Sequence, residues 1–481
     1  MPSKRRAAVP LLDSSKSWLQ HRRAASPYYR QIYDRIRCAV ASGALKPGER
    51  LPSARALMQE TGLARGTIEA AYSLLAAEGY IQARGQAGTI VAPDLEPMRD
   101  VPWARSAHDS RSPSTTARSE PIRPFQMGLP ALDAFPRKVW ARLGARCVRT
   151  MPPSVMSHPS VPGVPELRAQ IAAYLQVSRG IDCQPSQVFV TSGYRHSLLL
   201  VASALLKRGD RVWFEDPGYP PTRELLAQMG FIGVPTPVDD EGLIVQDGLR
   251  RARRARAAIV TPAHQSPLCV SLSLRRRQAL LDWADRSNAW IVEDDYDGEY
   301  RYVGRPLPAL KSLDRDERVI YLGTFSKVLF PALRLAYVVV PGSQAERFGK
   351  MAETLSGGCP DLSQLIVATF IREGHFARHI QRMRKLYAER REATADGLAA
   401  VLGRTFRIDS PPGGMHLILR SNGRPSDRQL AARMLKAGLF AEALTDWTVQ
   451  PTRSHALLLS FTNVDSRAAA ERLGRRMLQL L

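Results

Sequence analysis

The sequence contains few cysteines, and their spacing excludes two common functions. Of the 481 residues, 5 are cysteines. They are odd in number and scattered, without a CxxC pair: Cys38, Cys147, Cys183, Cys269 and Cys359. This pattern excludes a disulfide framework and a cysteine zinc site. We therefore predict reduced, mostly packed thiols and no bound metal.

Long hydrophobic runs are also missing. No uninterrupted apolar stretch reaches the ~18 residues of a membrane span, so we predict no contact with a membrane. Lys4, Arg5 and Arg6 stand near the N-terminus, but no apolar stretch with a small-residue cleavage site follows them. A secretory signal is therefore not indicated, and we expect a cytoplasmic protein.

Negative charge is scarce relative to positive charge, and the formal net charge is +23. Residues 1–92 hold 14 lysines and arginines against 6 acidic residues, so +8 lies on less than a fifth of the chain. A field of this sign attracts polyanions and contributes little to the fold, which favours a nucleic-acid-binding module at the N-terminus. A second basic run, residues 250–256, is more typical of a solvated helix face than of another DNA contact.

Composition divides the chain into four segments. Residues 1–26 form a basic extension, and residues 93–124 are rich in proline, serine and charge without periodicity, which is typical of a linker. Residues 27–92 are predicted to form the DNA-binding module. Residues 125–481 alternate strand-like apolar runs with helical segments, which predicts a parallel sheet with crossover helices. Within this segment we expect a large part, about 165–375, and a small part, about 376–481 plus 125–164.

The segment 27–92 predicts three helices followed by a β-hairpin. Apolar residues at three- and four-residue spacing predict the first helix, and Ser53 is placed to cap a short second helix that ends at Gly62. A third helix begins near Arg65 and leaves Arg65 and Thr67 facing outward. Its predicted buried residues are Ile68, Ala71, Tyr72 and Leu75. This pattern is typical of a winged helix-turn-helix with an exposed start to its recognition helix.

A lysine with hydroxyl groups and an arginine nearby indicates one cofactor. Lys327 follows Thr324 and Ser326, and Arg334 comes seven residues later. Pyridoxal 5′-phosphate (PLP) is an aldehyde that needs a lysine amine for a Schiff base, a carboxylate at its ring nitrogen, a phenol at its ring oxygen and a phosphate cup. Lys327 supplies the amine, and the other three residues can hold the phosphate.

The carboxylate and the phenol come from one strand end. Asp294 lies at the end of the apolar strand 290–292, where open α/β sheets place functional groups, and its carboxylate can pair with the ring nitrogen. Tyr296, two residues later, can reach the ring oxygen.

A second strand end predicts a phosphate cradle. Ser192, Gly193 and Tyr194 follow a strand and open a helix, whose N-terminal N–H groups bind anions. Tyr219 offers an aromatic ring that can stack on the cofactor. Each feature alone is ordinary, since a lone lysine after serine is usually a surface residue, but the combination is specific.

Two sets of segments resemble a known family. Residues 43–55 and 65–80 resemble the winged helix of the GntR family of bacterial regulators. The body resembles the MocR subfamily of that family, and the matching segments have its order and spacing: 215–219, 261–265, 293–296, 323–327 and 374–379. The resemblance covers almost the whole chain. It implies a multidomain protein: a mostly α winged helix-turn-helix with a β-wing, fused to an α/β fold-type I PLP-dependent aminotransferase-like domain.

The resemblance also implies roles and partners. The homodimer would have active sites at its subunit boundaries, and its winged helices would bind a double-stranded DNA operator. Roles in PLP binding are implied for Lys327 (Schiff base), Asp294 (ring nitrogen), Tyr296 (phenol), Tyr219 (stacking), Arg334 (phosphate), and His264 and Gln265 (ring-oxygen side). Roles at DNA are implied for Ser53, Arg55, Arg65 and Thr67, with Gly88 and Thr89 at the wing tip.

Four positions depart from the family pattern. Ala64 stands where a serine commonly caps the recognition helix, and Cys269 replaces a common glycine. That thiol either faces the site or is buried and inert, the second reading being favoured. Leu458 stands where aminotransferases carry the arginine that clamps a substrate carboxylate. Residues 157–159 replace a tyrosine-containing stretch that usually lends a phosphate ligand across the dimer.

The sequence therefore favours a regulator that binds PLP and senses PLP or an amine effector through Lys327. A working aminotransferase with an appended DNA anchor is the main alternative, and Leu458 argues against it. A dimerisation module without a cofactor is a third hypothesis, which the intact set of PLP residues disfavours. The sequence leaves the effector, the operator and the sign of regulation open.

Overall fold

A computed structural model describes residues 27–85, 88–95, 121–302, 308–421, 425–450 and 455–481. The chain divides into two units, one within residues 1–119 and the other within 120–481. The predicted basic extension, 1–26, and most of the predicted linker lie outside the described residues. No helix in the part of the chain that the structure describes is long and apolar enough to cross a membrane.

Three helices and a hairpin form the first unit: α1 (Tyr28–Ala41), α2 (Ala54–Thr61), α3 (Arg65–Ala77), β1 (Ile81–Ala83) and β2 (Thr89–Val91). Ile68, Ala71 and Leu75 of α3 are buried, as the periodicity predicts. Tyr72 is half-buried, and its hydroxyl donates a hydrogen bond to the carbonyl oxygen of Pro52 at 2.8 Å. The strands pair antiparallel, so the predicted wing is confirmed.

The helix ends follow local chemistry. Ser53 Oγ accepts a hydrogen bond from the Ala56 N–H at 3.1 Å and caps α2, whose end is marked by Gly62 at φ 72°. Ala64 has the extended backbone of an N-cap residue at the start of α3 but makes no side-chain cap bond. The recognition helix therefore begins without the side-chain acceptor that a serine would supply.

A large sheet forms the centre of the second unit: β3 (Val188–Thr191), β4 (Arg211–Asp216), β5 (Ile232–Asp239), β6 (Gly242–Leu243), β7 (Ala257–Val260), β8 (Trp290–Asp295), β9 (Val319–Thr324) and β10 (Ala336–Val339). Their spatial order is β3-β10-β9-β8-β7-β4-β5-β6. The helices that accompany it are α4 (Arg137–Thr150), α5 (Pro165–Arg179), α6 (Tyr194–Leu205), α7 (Pro220–Gln228), α8 (Val245–Ala252), α9 (Leu274–Arg286), α10 (Ala345–Leu355) and α11 (Asp361–Arg372).

The predicted parallel pairing is found among β5, β4, β7, β8 and β9, but the sheet as a whole is mixed. β10 runs antiparallel to both of its neighbours, β3 and β9, and β6 runs antiparallel to β5. A short connection, residues 325–335, joins β9 to β10 without a crossover helix, so the chain turns back on itself. This connection carries both Lys327 and Arg334.

A second, antiparallel sheet follows in the chain: β11 (Arg407–Asp409), β12 (His416–Ser421), β13 (Glu442–Ala443) and β14 (His455–Ser460), in the order β11-β12-β14-β13. It is accompanied by α12 (His375–Leu402), α13 (Asp427–Lys436) and α14 (Arg467–Leu478). Phe125 lies in the core of this smaller part, whereas Leu143 and Val164 lie in a core beside the large sheet. Residues 125–164, which the sequence groups with the small part, thus contribute to both cores.

Five acidic residues crowd the end of β8 and the turn after it: Glu293, Asp294, Asp295, Asp297 and Glu299. Asp295 and Glu299 share the buried guanidinium of Arg179, at 2.5 Å from Nε and 3.0 Å from Nη2. Glu293 accepts two backbone N–H groups at 2.8 Å each. Burying a charge is costly unless it is paired, so Arg179 holds this end of the strand together.

We predict that Arg179→Ala destabilises the second unit by about 3–5 kcal/mol, because it leaves two buried carboxylates without their cation. Urea unfolding followed by tryptophan fluorescence reports on this unit, because five of the 7 tryptophans lie within 120–481. Arg195→Ala is the matched control: this arginine is exposed and pairs with exposed Glu224 at 3.4 Å. Equal free energies of unfolding for the two variants would contradict the prediction.

Candidate functional site

A cavity of about 360 Å³ opens where the two sheets of the second unit meet. Its walls include Asp294 and Lys327 from the large sheet and its connections, and His416 and Glu442 from the small sheet. Parallel strands β9, β8, β7 and β4 all end at one edge of their sheet, which brings their terminal side chains together.

Lys327 enters the cavity from the connection between β9 and β10. Its Nζ donates a hydrogen bond to the carbonyl oxygen of Gly128 at 2.9 Å. Burial lowers the pKa of Lys327, although Asp297 and Asp294 partly oppose the shift. A lowered pKa leaves more of the amine neutral, and the neutral amine is the form that attacks an aldehyde.

Asp294 lies at the end of β8 and lines the same cavity. Burial raises the pKa of Asp294 well above its usual range, and neighbouring Asp295 adds to the shift. Among the described residues, its carboxylate has no hydrogen-bonding or ion-pair partner. A cation placed in the cavity beside Asp294 would restore its charged form.

Arg334 and Gly193 form a narrow corner of the cavity. Arg334 has the left-handed φ of 52°. A Cβ at Gly193, whose φ is 122°, would lie 3.2 Å from the Arg334 guanidinium. The glycine therefore keeps the space beside this cation open, as a bound phosphate requires.

The hydroxyl residues predicted for the phosphate differ in position. Thr324 and Ser326 line the cavity, and Thr324 Oγ1 accepts a hydrogen bond from the Ser326 N–H at 3.1 Å. Ser192 turns toward His196: its N–H and its Oγ lie 3.0 Å and 3.1 Å from Nδ1. Within the described part of the chain, Ser192 is not among the residues that line the cavity.

Two predicted tyrosines also line the cavity. Tyr194 and Tyr219 both face the cavity, with ring centroids 5.6 Å apart. The Tyr194 hydroxyl lies 2.6 Å from Thr222 Oγ1.

Tyr296 lines the cavity, and His264 lies behind it. His264 Nδ1 is 3.0 Å from the Tyr296 hydroxyl oxygen and 3.0 Å from Asp297 Oδ2. Burial alone would lower the pKa of His264, but Asp297 and Cys269 outweigh it and raise that pKa well above its usual range. His264 thus orients the phenol from outside the cavity lining, and Asp297, which does line the cavity, holds the imidazole.

The Gln265 side chain forms hydrogen bonds with neighbouring residues of the fold. Its Nε2 donates hydrogen bonds to Glu215 Oε2 at 3.2 Å and to the Pro217 carbonyl oxygen at 2.9 Å, and its Oε1 accepts from the Leu268 N–H at 2.9 Å. Among the described residues, the amide is therefore directed to neighbouring loops and not to the cavity.

The departures at Cys269 and Leu458 meet in one buried cluster with Trp447. Cys269 has a left-handed φ of 62°, a conformation that glycine adopts more easily. Its Sγ lies 3.2 Å from His416 Nε2. Burial would raise the pKa of Cys269, but His416 and His264 outweigh burial and lower it to about 6. The thiol is buried, as the favoured reading predicts, and all five cysteines are free.

The cavity residues that escape the sequence patterns include four that matter for its chemistry: Asp297, His416, Glu442 and Trp447. Asp297 could have been found, because it belongs to the same strand end as Asp294. The other three come from the small sheet and its connections, with no motif around them. Residues 157–159 are exposed, and among the described residues none of them lines the cavity.

The residues in this cavity fit PLP. Asp294 is an unpaired carboxylate for a ring cation, Arg334 is a cation beside open space, and Lys327 is an amine with a lowered pKa. The predicted individual contacts to PLP stay predictions.

The first unit presents a separate basic surface. Arg55 and Arg65 are exposed near the starts of α2 and α3, and Thr67 is half-buried. Arg65 Nε lies 2.7 Å from Glu69 Oε1, four residues later on the helix. Gly88 and Thr89 lie at the start of β2, next to a turn whose residues 86–87 are outside the described ranges. A Cβ at Gly88 would lie 2.8 Å from Arg50 Nε, so glycine permits this arginine to cross the wing.

Comparison with known proteins identifies both units. Residues 28–91 match the gntR family of bacterial regulatory proteins, and residues 131–472 match the class I and II aminotransferases. The probable rhizopine catabolism regulatory protein MocR of Rhizobium meliloti is 36% identical over 94% of this chain and 93% of its own length. The chain belongs to the MocR-type transcriptional regulators.

Other similar proteins agree with this assignment. The pyridoxine biosynthesis regulator PdxR of Corynebacterium glutamicum is 32% identical over 90% of this chain and 92% of its own length. The structure of LysN, an α-aminoadipate aminotransferase of Thermus thermophilus, has a TM-score of 0.68 and 27% identity over 75% of this chain and 92% of that chain. This MocR-type protein thus joins a DNA-binding GntR domain to an aminotransferase fold.

For the DNA-binding unit, we predict that Arg55→Ala and Arg65→Ala each weaken operator binding by about 1–3 kcal/mol and reduce its salt dependence, because each removes a cation from the phosphate-facing surface. Titration of labelled operator at several salt concentrations measures both effects. Arg275→Ala, which changes an exposed arginine of the second unit, is the control. Operator affinity unchanged in both variants would remove these arginines from the DNA interface.

Proposed function

We propose that this MocR-type regulator binds PLP covalently at Lys327 and uses the occupied cavity to sense a small molecule. The observation that carries the proposal is the meeting of Lys327, Asp294 and Arg334 in one cavity: an amine, an unpaired carboxylate and a cation beside open space. These are the groups that PLP needs, and a GntR domain precedes them in the same chain.

Each residue has a distinct part in this proposal. Bound PLP would supply an electrophilic carbon and an electron-withdrawing ring. Lys327, now hydrogen-bonded to the Gly128 carbonyl oxygen, would supply the amine that holds the cofactor with loss of water, and Asp294 would hold a proton on the ring nitrogen. Arg334 would neutralise the phosphate. His264 would fix the Tyr296 hydroxyl beside the ring oxygen through its 3.0 Å contact with the phenol, and Asp297 would hold His264 through its own 3.0 Å contact.

The signal is proposed to be an amine that takes the place of Lys327. PLP itself is a second candidate, since one relative is named for the regulation of pyridoxine biosynthesis. We further propose a homodimer that acts on an operator in the cytoplasm, with two winged helices and two cavities.

A working aminotransferase is the alternative function. Leu458, at the position of the family's carboxylate-binding arginine, is fully buried in an apolar cluster. Arg334 is the one guanidinium that lines the cavity among the described residues, and the phosphate would occupy it. An α-amino acid would therefore lack its usual bidentate partner, which favours sensing over turnover.

We predict that the purified protein, incubated with PLP, is yellow, and that borohydride fixes the cofactor to Lys327. Peptide mass spectrometry locates the modified residue. Lys327→Ala should lose the absorbance band and the label, while Lys350→Ala, which changes an exposed lysine paired with Glu346, should keep both. An unchanged band in Lys327→Ala would overturn the proposed attachment.

We also predict poor transaminase activity toward common α-amino acids. Loss of a buried charge-assisted pair costs about 2–4 kcal/mol, which corresponds to roughly 30- to 1000-fold in binding and orientation. Assays of PLP-loaded protein with amino acid and keto acid pairs measure the turnover, with an aminotransferase of the same fold as the positive control. Many rapid turnovers with an ordinary pair would favour the enzyme over the sensor.

A further inference from the structure

Two paired residues on adjacent strands of the small sheet lack the positive charge that binds the carboxylate of an amino acid. β13 pairs antiparallel with β14, and Glu442 lies directly opposite Leu458. Paired positions on neighbouring antiparallel strands point to the same face of the sheet. A carboxylate therefore stands beside the position where the family resemblance places an arginine, and that position holds an apolar side chain.

Glu442 reaches the cavity, and its environment holds it there. Trp447 Nε1 donates a hydrogen bond to Glu442 Oε2 at 3.0 Å, and both residues line the cavity. Burial raises the pKa of Glu442. Among the described residues, Glu442 accepts this one side-chain hydrogen bond and forms no ion pair, while His416 and Lys327 partly oppose the rise of its pKa.

The other charged groups of the cavity have partners once the proposed cofactor is present. Arg334 and Asp294 would pair with the phosphate and the ring nitrogen, and Asp297 has His264 at 3.0 Å. His416 Nε2 lies 3.0 Å from the Pro267 carbonyl oxygen and 3.2 Å from Cys269 Sγ. Glu442 forms no ion pair among the described residues, although His416 and Lys327 favour its charged form, and a buried carboxylate favours a cation at close range.

The aromatic ring next to Glu442 suits the same ligand. Trp447 lies beside the carboxylate, and its ring centroid is 5.7 Å from that of Tyr219. Aromatic faces attract ammonium and guanidinium groups, and tryptophan does so most strongly. Arg223, which could otherwise bind an anionic ligand nearby, donates its hydrogen bonds to the backbone oxygens of Asp446 and Thr448.

We propose that Glu442 and Trp447 form a cation subsite in the cofactor cavity, so that the effector is a primary amine that carries a second positive charge and no carboxylate. This inference rests on the proposed function, because the primary amine is the group that would replace Lys327. The second cation would pair with Glu442 and lie against the Trp447 ring.

The test compares three amines that have the same four-carbon length: 1,4-diaminobutane, butylamine and 4-aminobutanoate. Their dissociation constants for the full-length, PLP-loaded protein are measured by calorimetry, together with the change in the cofactor absorbance. We expect 1,4-diaminobutane to bind at least about 10-fold more tightly than butylamine, since one charge-assisted contact is worth that much, and 4-aminobutanoate to bind most weakly.

Substitutions test whether Glu442 and Trp447 cause the preference for 1,4-diaminobutane over butylamine. Glu442→Gln should abolish the difference between 1,4-diaminobutane and butylamine, and Trp447→Phe, which keeps a ring but removes the N–H donor, should reduce it. Glu224→Gln changes an exposed carboxylate outside the cavity and should keep the wild-type ratio. The readout is the ratio of the dissociation constants of butylamine and 1,4-diaminobutane for each protein. A general loss of stability would weaken the binding of both amines and would leave this ratio unchanged.

The outcomes separate this inference from the function on which it rests. Tighter binding of 4-aminobutanoate than of 1,4-diaminobutane, or an unchanged ratio in Glu442→Gln, overturns the cation subsite. If the absorbance band forms and butylamine alters it without any preference for the diamine, the cofactor proposal stands and the subsite fails. If no absorbance band forms with PLP, or no amine alters it, both fail.

Discussion

The site depends on five acidic residues at the end of β8 and the turn after it, of which four are buried and the fifth, Asp294, is half-buried beside the cavity. Each needs a partner in a medium that solvates charge poorly, and the fold supplies one to all except Asp294. Arg179 forms ion pairs with Asp295 and Glu299. Two backbone N–H groups donate hydrogen bonds to Glu293, and His264 lies within ion-pair distance of Asp297. The remaining carboxylate faces the cavity with a raised pKa. In the proposed function, a cationic cofactor ring would be the partner that completes the set.

The reversal of the chain after β9 determines what meets that carboxylate. Because 325–335 is a short connection, it stays at the edge of the sheet where β8 ends, and it presents Lys327 and Arg334 to one cavity. The opposite wall comes from the small sheet. A ligand that contacts both walls binds one arrangement of the two sheets better than others, which is the thermodynamic requirement for a sensor.

The small sheet also supports the proposal that this aminotransferase fold binds an amine without efficient transamination. Leu458 packs against Cys269 and Trp447 in a dry cluster, while its cross-strand neighbour Glu442 faces the cavity. Carboxylate binding needs a cation at this wall, and the wall instead carries a carboxylate and an aromatic ring. The chemistry at Lys327 can thus be retained while the choice of ligand changes, since the two depend on different strands.

The sequence alone determined the features that arise from neighbouring residues. These include the Ser53 cap, the end of α2 at Gly62, the buried face of α3 and the strand ends that carry Asp294 and Thr324, because caps and periodicity act over a few residues. Tertiary structure alone decided the direction of β10, the use of Gln265 within the fold and the pairing of Glu442 with Leu458. Strand register and hydrogen-bond partners join residues far apart in the chain, so no local pattern encodes them.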